Sequence, residues 1–125
     1  MSIVVTAPEL RTIRSEQEFL ALEGHWDRLV AALERPTPFL LHGWCAEWLR
    51  RNSDAFRLAV EVAVADGRLV AALPLVTQRW RGFTMGRFIG GAGTVFADAL
   101  VAPDVEAPEA LISLLLDRAA GGAID

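Results

Sequence analysis

Few residues of this sequence have side chains that could do chemistry, and they lie far apart along the chain. They are the imidazoles of His25 and His42, the single thiol of Cys45 and the carboxylate of Asp98. Asp98 lies in an otherwise apolar strand pattern just after a glycine-rich segment, where an uncompensated buried carboxylate would cost free energy. The sequence thus predicts either a carboxylate that borders a cleft or, as the alternative, a strand-end residue that faces water.

The histidines and the cysteine favour structural roles. His25 and His42 each lie near tryptophans in a predicted helix, and neither has the spacing of a metal ligand, so no metal site is predicted. A solvated or hydrogen-bonded structural histidine is the favoured interpretation of both. Cys45 falls on an apolar helical stripe without the sequence signature of a nucleophile, which favours an inert core thiol.

Gly90, Gly91 and Gly93 invite interpretation as a phosphate-binding loop. The segment lacks the Gly-Lys-Ser/Thr ending of a P-loop, and Phe96 occupies the position where the dinucleotide fingerprint needs its third glycine. We therefore expect no nucleotide binding at this segment.

Composition limits the classes of partner. The 125 residues are 53% hydrophobic and carry a net charge of −4, with a mean hydropathy of +0.33. One core can form, and some apolar surface is expected to meet another domain or subunit. The acidic balance argues against nucleic acid or an anionic membrane. No apolar run approaches the roughly 18 residues of a membrane span, and no secretory signal is visible, so we expect a cytoplasmic protein.

The strongest local signal is a β-hairpin over residues 56–77 with Asp66-Gly67 as a type I′ turn. A regular ladder predicts the pairs Ala65 with Arg68, Val64 with Leu69, Val62 with Ala71, Val60 with Leu73 and Leu58 with Leu75. The large aliphatic side chains then share one core face. The opposite face carries Glu61 among small residues and is predicted to meet water or a ligand. Pro74 predicts a bulge or an edge, since it has no N–H to donate.

Helices are predicted on both sides of this hairpin in the sequence. Ser15 with Glu18 has capping-box spacing before a helical stripe, and Thr37-Pro38 predicts the start of a second helix that carries Trp44 and Trp48, where a core role is favoured over a ligand platform. Strands over residues 83–89 and 94–101 should follow, then a helix from residue 108 that is buried over a wide arc and ends at Gly121-Gly122. The chain is predicted to form one α+β domain over residues 1–125, in the order strand, helix, helix, antiparallel meander and helix.

Several short motifs occur in a specific order along the chain. They are Trp26 with Leu29, Pro38-Phe39 followed by Trp44 and Trp48, the hairpin ending Ala72-Leu73-Pro74-Leu75, and Phe96-Ala97-Asp98 after a glycine pair. Over residues 13–120 this pattern resembles the CelD/BcsL-like branch of the GNAT acetyltransferases, which is linked to cellulose or exopolysaccharide biosynthesis and is related in fold to the FemAB aminoacyltransferases. The order of elements is similar to that of the first half of a GNAT domain.

The resemblance implies an acyl-CoA-dependent N-acyltransferase that acts on a small amine or amino sugar. Acetyl-CoA or another acyl-CoA is expected for the full-length enzyme, held by its pyrophosphate at a glycine-rich helix N-terminus. Residues 103–108 here carry two acids, two prolines and no glycine. We therefore expect no acyl-CoA binding by this chain alone, and a missing C-terminal GNAT half or a second subunit as the partner that carries the CoA site.

The resemblance also suggests roles for three residues of this sequence. Asp98 would be the catalytic base that takes the proton of the attacking amine, and Trp44 and His42 would border the acceptor-substrate cleft. The alternative function is a non-catalytic α+β module, NTF2-like in shape, that binds a small ligand or forms a dimer.

Overall fold

The computed structural model describes residues 8–33, 41–89 and 99–124, and this part of the chain forms four helices and seven strands. The helices are α1 (Glu16–Leu20), α2 (Glu23–Ala32), α3 (His42–Arg51) and α4 (Pro108–Ile124). The strands are β1 (Glu9–Ile13), β2 (Arg57–Leu58), β3 (Val60–Ala65), β4 (Arg68–Leu73), β5 (Leu75–Trp80), β6 (Phe83–Phe88) and β7 (Leu100–Val101). All described strand pairs are antiparallel. The α+β prediction is thus confirmed at the level of class.

The strands form two sheets. The first has the order β1-β3-β4-β7 and the second the order β2-β5-β6. The predicted third strand of the meander is confirmed as β6, and it is joined to β5 by a two-residue turn in which Arg81 and Gly82 have φ of 50° and 85°. Of the predicted strand over residues 94–101, only β7 lies within the described residues.

The tip of the central hairpin is confirmed. Asp66 and Gly67 have φ of 52° and 74°, as a type I′ turn requires, and the pairs Ala65 with Arg68 and Val64 with Leu69 form as predicted. The rest of the predicted register is wrong by one residue: Ala63 pairs with Ala71, and Leu73 lies opposite Glu61 instead of Val60.

A β-bulge at Val70 causes this shift. The register changes between Val64 and Ala63, which leaves Val70 as the extra residue on β4. Such a bulge bends the strand and increases its twist. Leu69 and Val70 are nevertheless both buried, so the extra residue adds apolar side-chain area to the core instead of leaving it in water.

Pro74 ends the first sheet and starts the second. Pairing stops at Ala59 on one strand and at Pro74 on the other, and the same two chain segments pair again as β2 and β5. The backbone N–H of Ala59 donates to the carbonyl of Leu75 at 3.0 Å, and that of Ile89 donates to the carbonyl of Pro74 at 2.7 Å. The predicted bulge or edge at Pro74 is wrong: the register is the same on both sides of this residue, and the ladder is interrupted there between two sheets.

The first predicted helix begins where its capping box predicts. The Ser15 hydroxyl accepts from the backbone N–H of Glu18 at 3.1 Å and donates to the Glu18 carboxylate at 3.0 Å. The helix is divided at residues 21–22 into α1 and α2. Of its predicted stripe, four residues are buried and two, Leu22 and Leu33, are partly buried; the buried ones are Phe19, Trp26, Leu29 and Val30.

The bounds of the other helices differ from the predictions. α3 begins at His42 because Leu41 has extended dihedral angles; Thr37-Pro38 lies outside the described residues. α4 continues through Gly121-Gly122 to Ile124, since a glycine inside a helix costs only about 1 kcal/mol. The predicted wide buried arc of α4 is also wrong, because Leu111 and Leu115 are buried whereas Leu114 and Leu116 are exposed.

Both faces of the first sheet are covered. Successive residues of a strand point to opposite faces, and Val60, Glu61, Val62 and Ala63 are all buried. Helix α4 lies on the face of Glu61, where Arg118 reaches the Glu61 carboxylate, and α2 packs against β4 and β7. Among the described helices, none is both long and apolar enough to cross a bilayer.

Leu73, which is fully buried at 0% exposure, should dominate local stability. Leu73→Ala is expected to lower the free energy of unfolding by about 2–5 kcal/mol, because it removes buried apolar area and leaves a cavity. Chemical denaturation measures this loss. Leu114→Ala, at a position 54% exposed on α4, is the matched control and should change it by no more than about 0.5 kcal/mol. Equal losses in the two variants would contradict the assignment of Leu73 to the core.

Candidate functional site

His42 lies at the junction of the first three helices. Its backbone N–H donates to Asp27 Oδ1 at 2.8 Å, and its ring Nε2 lies 2.6 Å from the carbonyl oxygen of Phe19. A carbonyl oxygen can only accept, so Nε2 carries a hydrogen. The ring stacks on Phe19 with centroids 4.3 Å apart and is 1% exposed. This geometry is that of a buried histidine that joins α1 to α3, with no open face for a ligand.

The other residues singled out in the sequence do not meet in one described site. Trp44 is half-buried on α3, and Asp98 lies outside the described residues. Cys45 is buried on the same helix as Trp44, and burial, with a smaller effect of Asp27, raises the pKa of its thiol to about 12. The thiol is therefore protonated at neutral pH and is not a nucleophile. The described residues contain no group of three histidine, cysteine or acidic side chains that could hold a metal ion.

Glu61 forms a buried polar cluster with Thr12 and Arg118. Thr12 lies directly opposite Glu61 across β1 and β3, and its hydroxyl donates to the Glu61 carboxylate at 2.5 Å. The Nε of Arg118 lies 3.4 Å from Glu61 Oε2 and donates to the Thr12 hydroxyl at 3.2 Å. The prediction that this face meets water or a ligand is wrong at Glu61, which is 1% exposed beneath α4.

Burial governs the protonation of this carboxyl group. Removal from water raises the pKa of Glu61 above its ordinary value, although the Thr12 hydrogen bond and the charges of Arg118 and Arg14 act in the opposite direction. The cluster links β1, β3 and α4, and its polar atoms are satisfied by one another. We therefore interpret it as structural.

The site with open space lies beside the second sheet. A cleft of about 430 Å³ is bounded by the end of α3, by β2 and β5, and by the residues that join β1 to α1. A second space of about 510 Å³ continues from it along β5. The two spaces share Ser53, Phe56, Arg57 and Thr77, so they adjoin each other, and we treat them together as one site. We call it the arginine cleft after its lining residues Arg14, Arg50, Arg57 and Arg79.

The sheet places two of these arginines on one face. Arg57 pairs with Thr77 across β2 and β5, and Arg79 lies two residues beyond Thr77 on the same strand. Residues at that spacing point to the same side. The diagonal separation of Arg57 and Arg79 is therefore about 7–8 Å between backbones, within reach of long side chains, and the Thr77 side chain lies on the same face, directly opposite Arg57.

The apolar wall of the cleft is held by aromatic contacts. The ring of Phe56 lies 5.2 Å from that of Trp48, centroid to centroid, at a tilt of 46°. The guanidinium of Arg87 lies over the Phe56 ring at 5.3 Å, which is cation–π distance. Phe56 is thus positioned as a fixed apolar surface before any ligand arrives.

The charges of the cleft are unevenly paired. Arg50 is bonded to Glu47, whose pKa falls to about 2 because Arg50 and then Arg51 hydrogen-bond its carboxylate. The described part of the chain gives the side chains of Arg57 and Arg79 no ion-pair partner. Two acids, Glu16 and Asp54, also line the cleft. The arrangement can bind an anion at Arg57 and Arg79 and a cationic or hydroxyl group at Glu16.

Sequence reasoning missed this site. Arg14, Arg57 and Arg79 are far apart in the chain and belong to no motif. The one available signal is the absence of lysine, since all 12 basic residues are arginines, but that bias marks no position. Comparison of the chain with models of known protein families, with curated proteins and with solved structures finds no match.

Replacement of Glu61 by glutamine should change how stability depends on pH. Because the folded pKa of Glu61 is raised above 4.5, its proton stabilises the fold. That contribution is complete below the unfolded pKa and is lost as the pH rises through the folded one. Glu61→Gln cannot titrate, so the wild-type free energy of unfolding minus that of the variant should fall as pH rises above 4.5. Denaturation across a pH series measures it.

The control is Glu23→Gln, an exposed position at the start of α2. The pKa values of Glu47 and Asp104 are lowered by arginine hydrogen bonds, so these two groups make the free energy of unfolding rise with pH. Both are present in the wild type and in the two glutamine variants, so their contributions cancel in the difference. A wild-type minus Glu61→Gln difference that is flat or rises with pH would contradict a raised pKa at Glu61.

Proposed function

We propose that this chain is the substrate-side portion of a GNAT-type, acyl-CoA-dependent N-acyltransferase, and that it binds the acceptor. The observation that supports this best is the arginine cleft, an open groove built from three elements of the fold and the segment that joins β1 to α1. An amine or amino sugar used in cell-envelope or polysaccharide biosynthesis is the acceptor class that the family resemblance suggests.

The cleft has the size and lining of a small-molecule site. Its two parts, about 430 and 510 Å³, fall within the roughly 300–1,000 Å³ that such sites occupy. Leu49, Phe56 and Leu58 supply apolar surface, while Ser53 and Thr77 supply hydroxyl groups. A sugar ring matches this mixture, because one of its faces is apolar and its hydroxyl groups form hydrogen bonds.

The N-terminus of α4 does not fit an acyl-CoA pyrophosphate. Pro108 has no N–H to donate, Glu109 lies in the first turn, and Glu106 is exposed just before it. Asp104 adds a further carboxylate, which is paired with Arg68. Helix N-termini bind phosphates through free N–H groups and the positive end of the helix dipole. Here Pro108 removes one N–H donor, and the nearby carboxylates repel a phosphate. The proposal therefore assigns acceptor binding, and not acyl-donor binding, to this chain.

Calorimetric titration should show saturable binding of an amino sugar such as glucosamine and no binding of acetyl-CoA. Ser53→Trp fills the part of the cleft common to both spaces and should weaken amino-sugar binding about tenfold or more, which corresponds to 1.4 kcal/mol. Ser113→Trp, at an exposed position of α4 that does not line the cleft, is the control. Micromolar binding of acetyl-CoA, or no binding of any amine, would refute the proposal.

The second candidate function is self-association as a non-catalytic module. Phe83 and Met85 are 70% and 51% exposed, and they lie two residues apart on β6, the edge strand of the described second sheet. An exposed apolar edge strand can pair with another copy of the chain.

If this edge forms a dimer, sedimentation equilibrium should show association that increases with concentration and that Met85→Lys weakens. Ser113→Lys adds the same charge on α4, outside the second sheet, and should leave association unchanged. A monomer at every concentration would remove this candidate, whereas an amine-binding monomer would favour the acyltransferase proposal.

A further inference from the structure

The arginine cleft concentrates positive charge where the sheet gives it no partner. Arg57 and Arg79 are exposed on one face of the second sheet, and the described residues offer neither of them an ion pair. These two like charges stand diagonally across β2 and β5 and repel each other, although water weakens the repulsion. A bound anion would remove that repulsion.

The geometry of the pair suits a phosphate group. A guanidinium offers a planar fork of N–H donors that matches phosphate or carboxylate oxygens in a bidentate manner. Two guanidiniums on the face of the Thr77 hydroxyl match the two negative charges of a phosphate monoester, whereas the single charge of a carboxylate would neutralise only one guanidinium. Arg57 and Thr77 border both parts of the cleft, so the group would sit at their junction.

The remaining lining supplies few other groups on the face of the two arginines. Phe56 is held between Trp48 and Arg87, and Arg87 pairs with Val76, so this ring lies on the opposite face of the sheet from Thr77. Glu16 lines the first part of the cleft, away from Arg79, which lines the second. Asp54 lies in the second part without an ion pair to either arginine, so the charge there stays positive.

We propose that the arginine cleft binds a small phosphorylated molecule, with its phosphate monoester held by Arg57, Arg79 and the Thr77 hydroxyl. The identification of this molecule as the acceptor, a phosphorylated amino sugar whose amino group reaches Glu16, rests on the proposed function. The phosphate site itself does not.

Titration of the full chain with inorganic phosphate, glucose 6-phosphate and glucosamine 6-phosphate tests the site, with unphosphorylated glucosamine as the reference. Both sugar phosphates should bind more tightly than glucosamine. Arg57→Gln and Arg79→Gln should each weaken them about tenfold or more, since hydrogen bonds to charged groups contribute about 1.5–3 kcal/mol. Arg28→Gln, exposed on α2 outside the cleft, removes the same charge and should have no effect.

A second variant tests the site without removing an arginine. Gly86 pairs with Thr77 across β5 and β6, and a Cβ there would meet no atom within 4 Å. Gly86→Glu therefore places a carboxylate beside the two guanidiniums and should weaken phosphate binding as strongly as the arginine variants. Gly86→Gln, of the same size but neutral, should weaken it much less.

The outcomes separate the two proposals. Sugar phosphates that bind no better than glucosamine, or that are weakened equally by Arg57→Gln and Arg28→Gln, would overturn the phosphate site. Equal affinities for glucose 6-phosphate and glucosamine 6-phosphate, both lost in the Arg57 and Arg79 variants, would support the phosphate site while contradicting the acceptor assignment.

Discussion

The central hairpin over residues 57–80 contributes to both sheets. Pairing of β3 with β4 ends at Glu61 and Leu73 and resumes in the second sheet at Leu58 and Val76 with an unchanged register, while the Pro74 carbonyl, at the break, accepts from the backbone N–H of Ile89. Up to that break, β3 and β4 are buried on both faces beneath helices. Beyond it, β2, β5 and β6 form a second sheet with largely exposed side chains, and this sheet presents Arg57, Thr77 and Arg79 to the cleft.

Charged side chains have different surroundings in the two sheets. In the first sheet the one buried carboxylate, Glu61, is partnered by Thr12 and Arg118 from neighbouring elements, and its burial at 1% exposure closes it to a ligand. In the second sheet Arg57 and Arg79 stay exposed, where water lowers the cost of leaving a charge unpaired. A charged side chain can bind a ligand if it has no ion-pair partner within the fold. Among the described residues of the second sheet, Arg57 and Arg79 meet this condition.

The helices complete the cleft. Arg50 and Arg51 at the end of α3 form ion pairs with Glu47 of the same helix. The contact between Trp48 of α3 and Phe56 then joins the helix to the start of β2. His42, at the other end of α3, ties it to α1 through the carbonyl of Phe19. His42, for which the resemblance suggested a place beside the acceptor cleft, is thus a buried residue that joins α3 to α1.

The sequence by itself determined the features that depend on neighbouring residues. The type I′ turn at Asp66-Gly67, the Ser15 cap and the apolar stripe of α2 were predictable, because turn dihedrals, caps and helical faces are set within a few residues. Tertiary structure alone decided the bulge at Val70, the burial of Glu61 and the grouping of Arg14, Arg57 and Arg79 in one cleft. These depend on which strands meet and which helix covers them, and such contacts join residues far apart in the chain that carry no shared local signal.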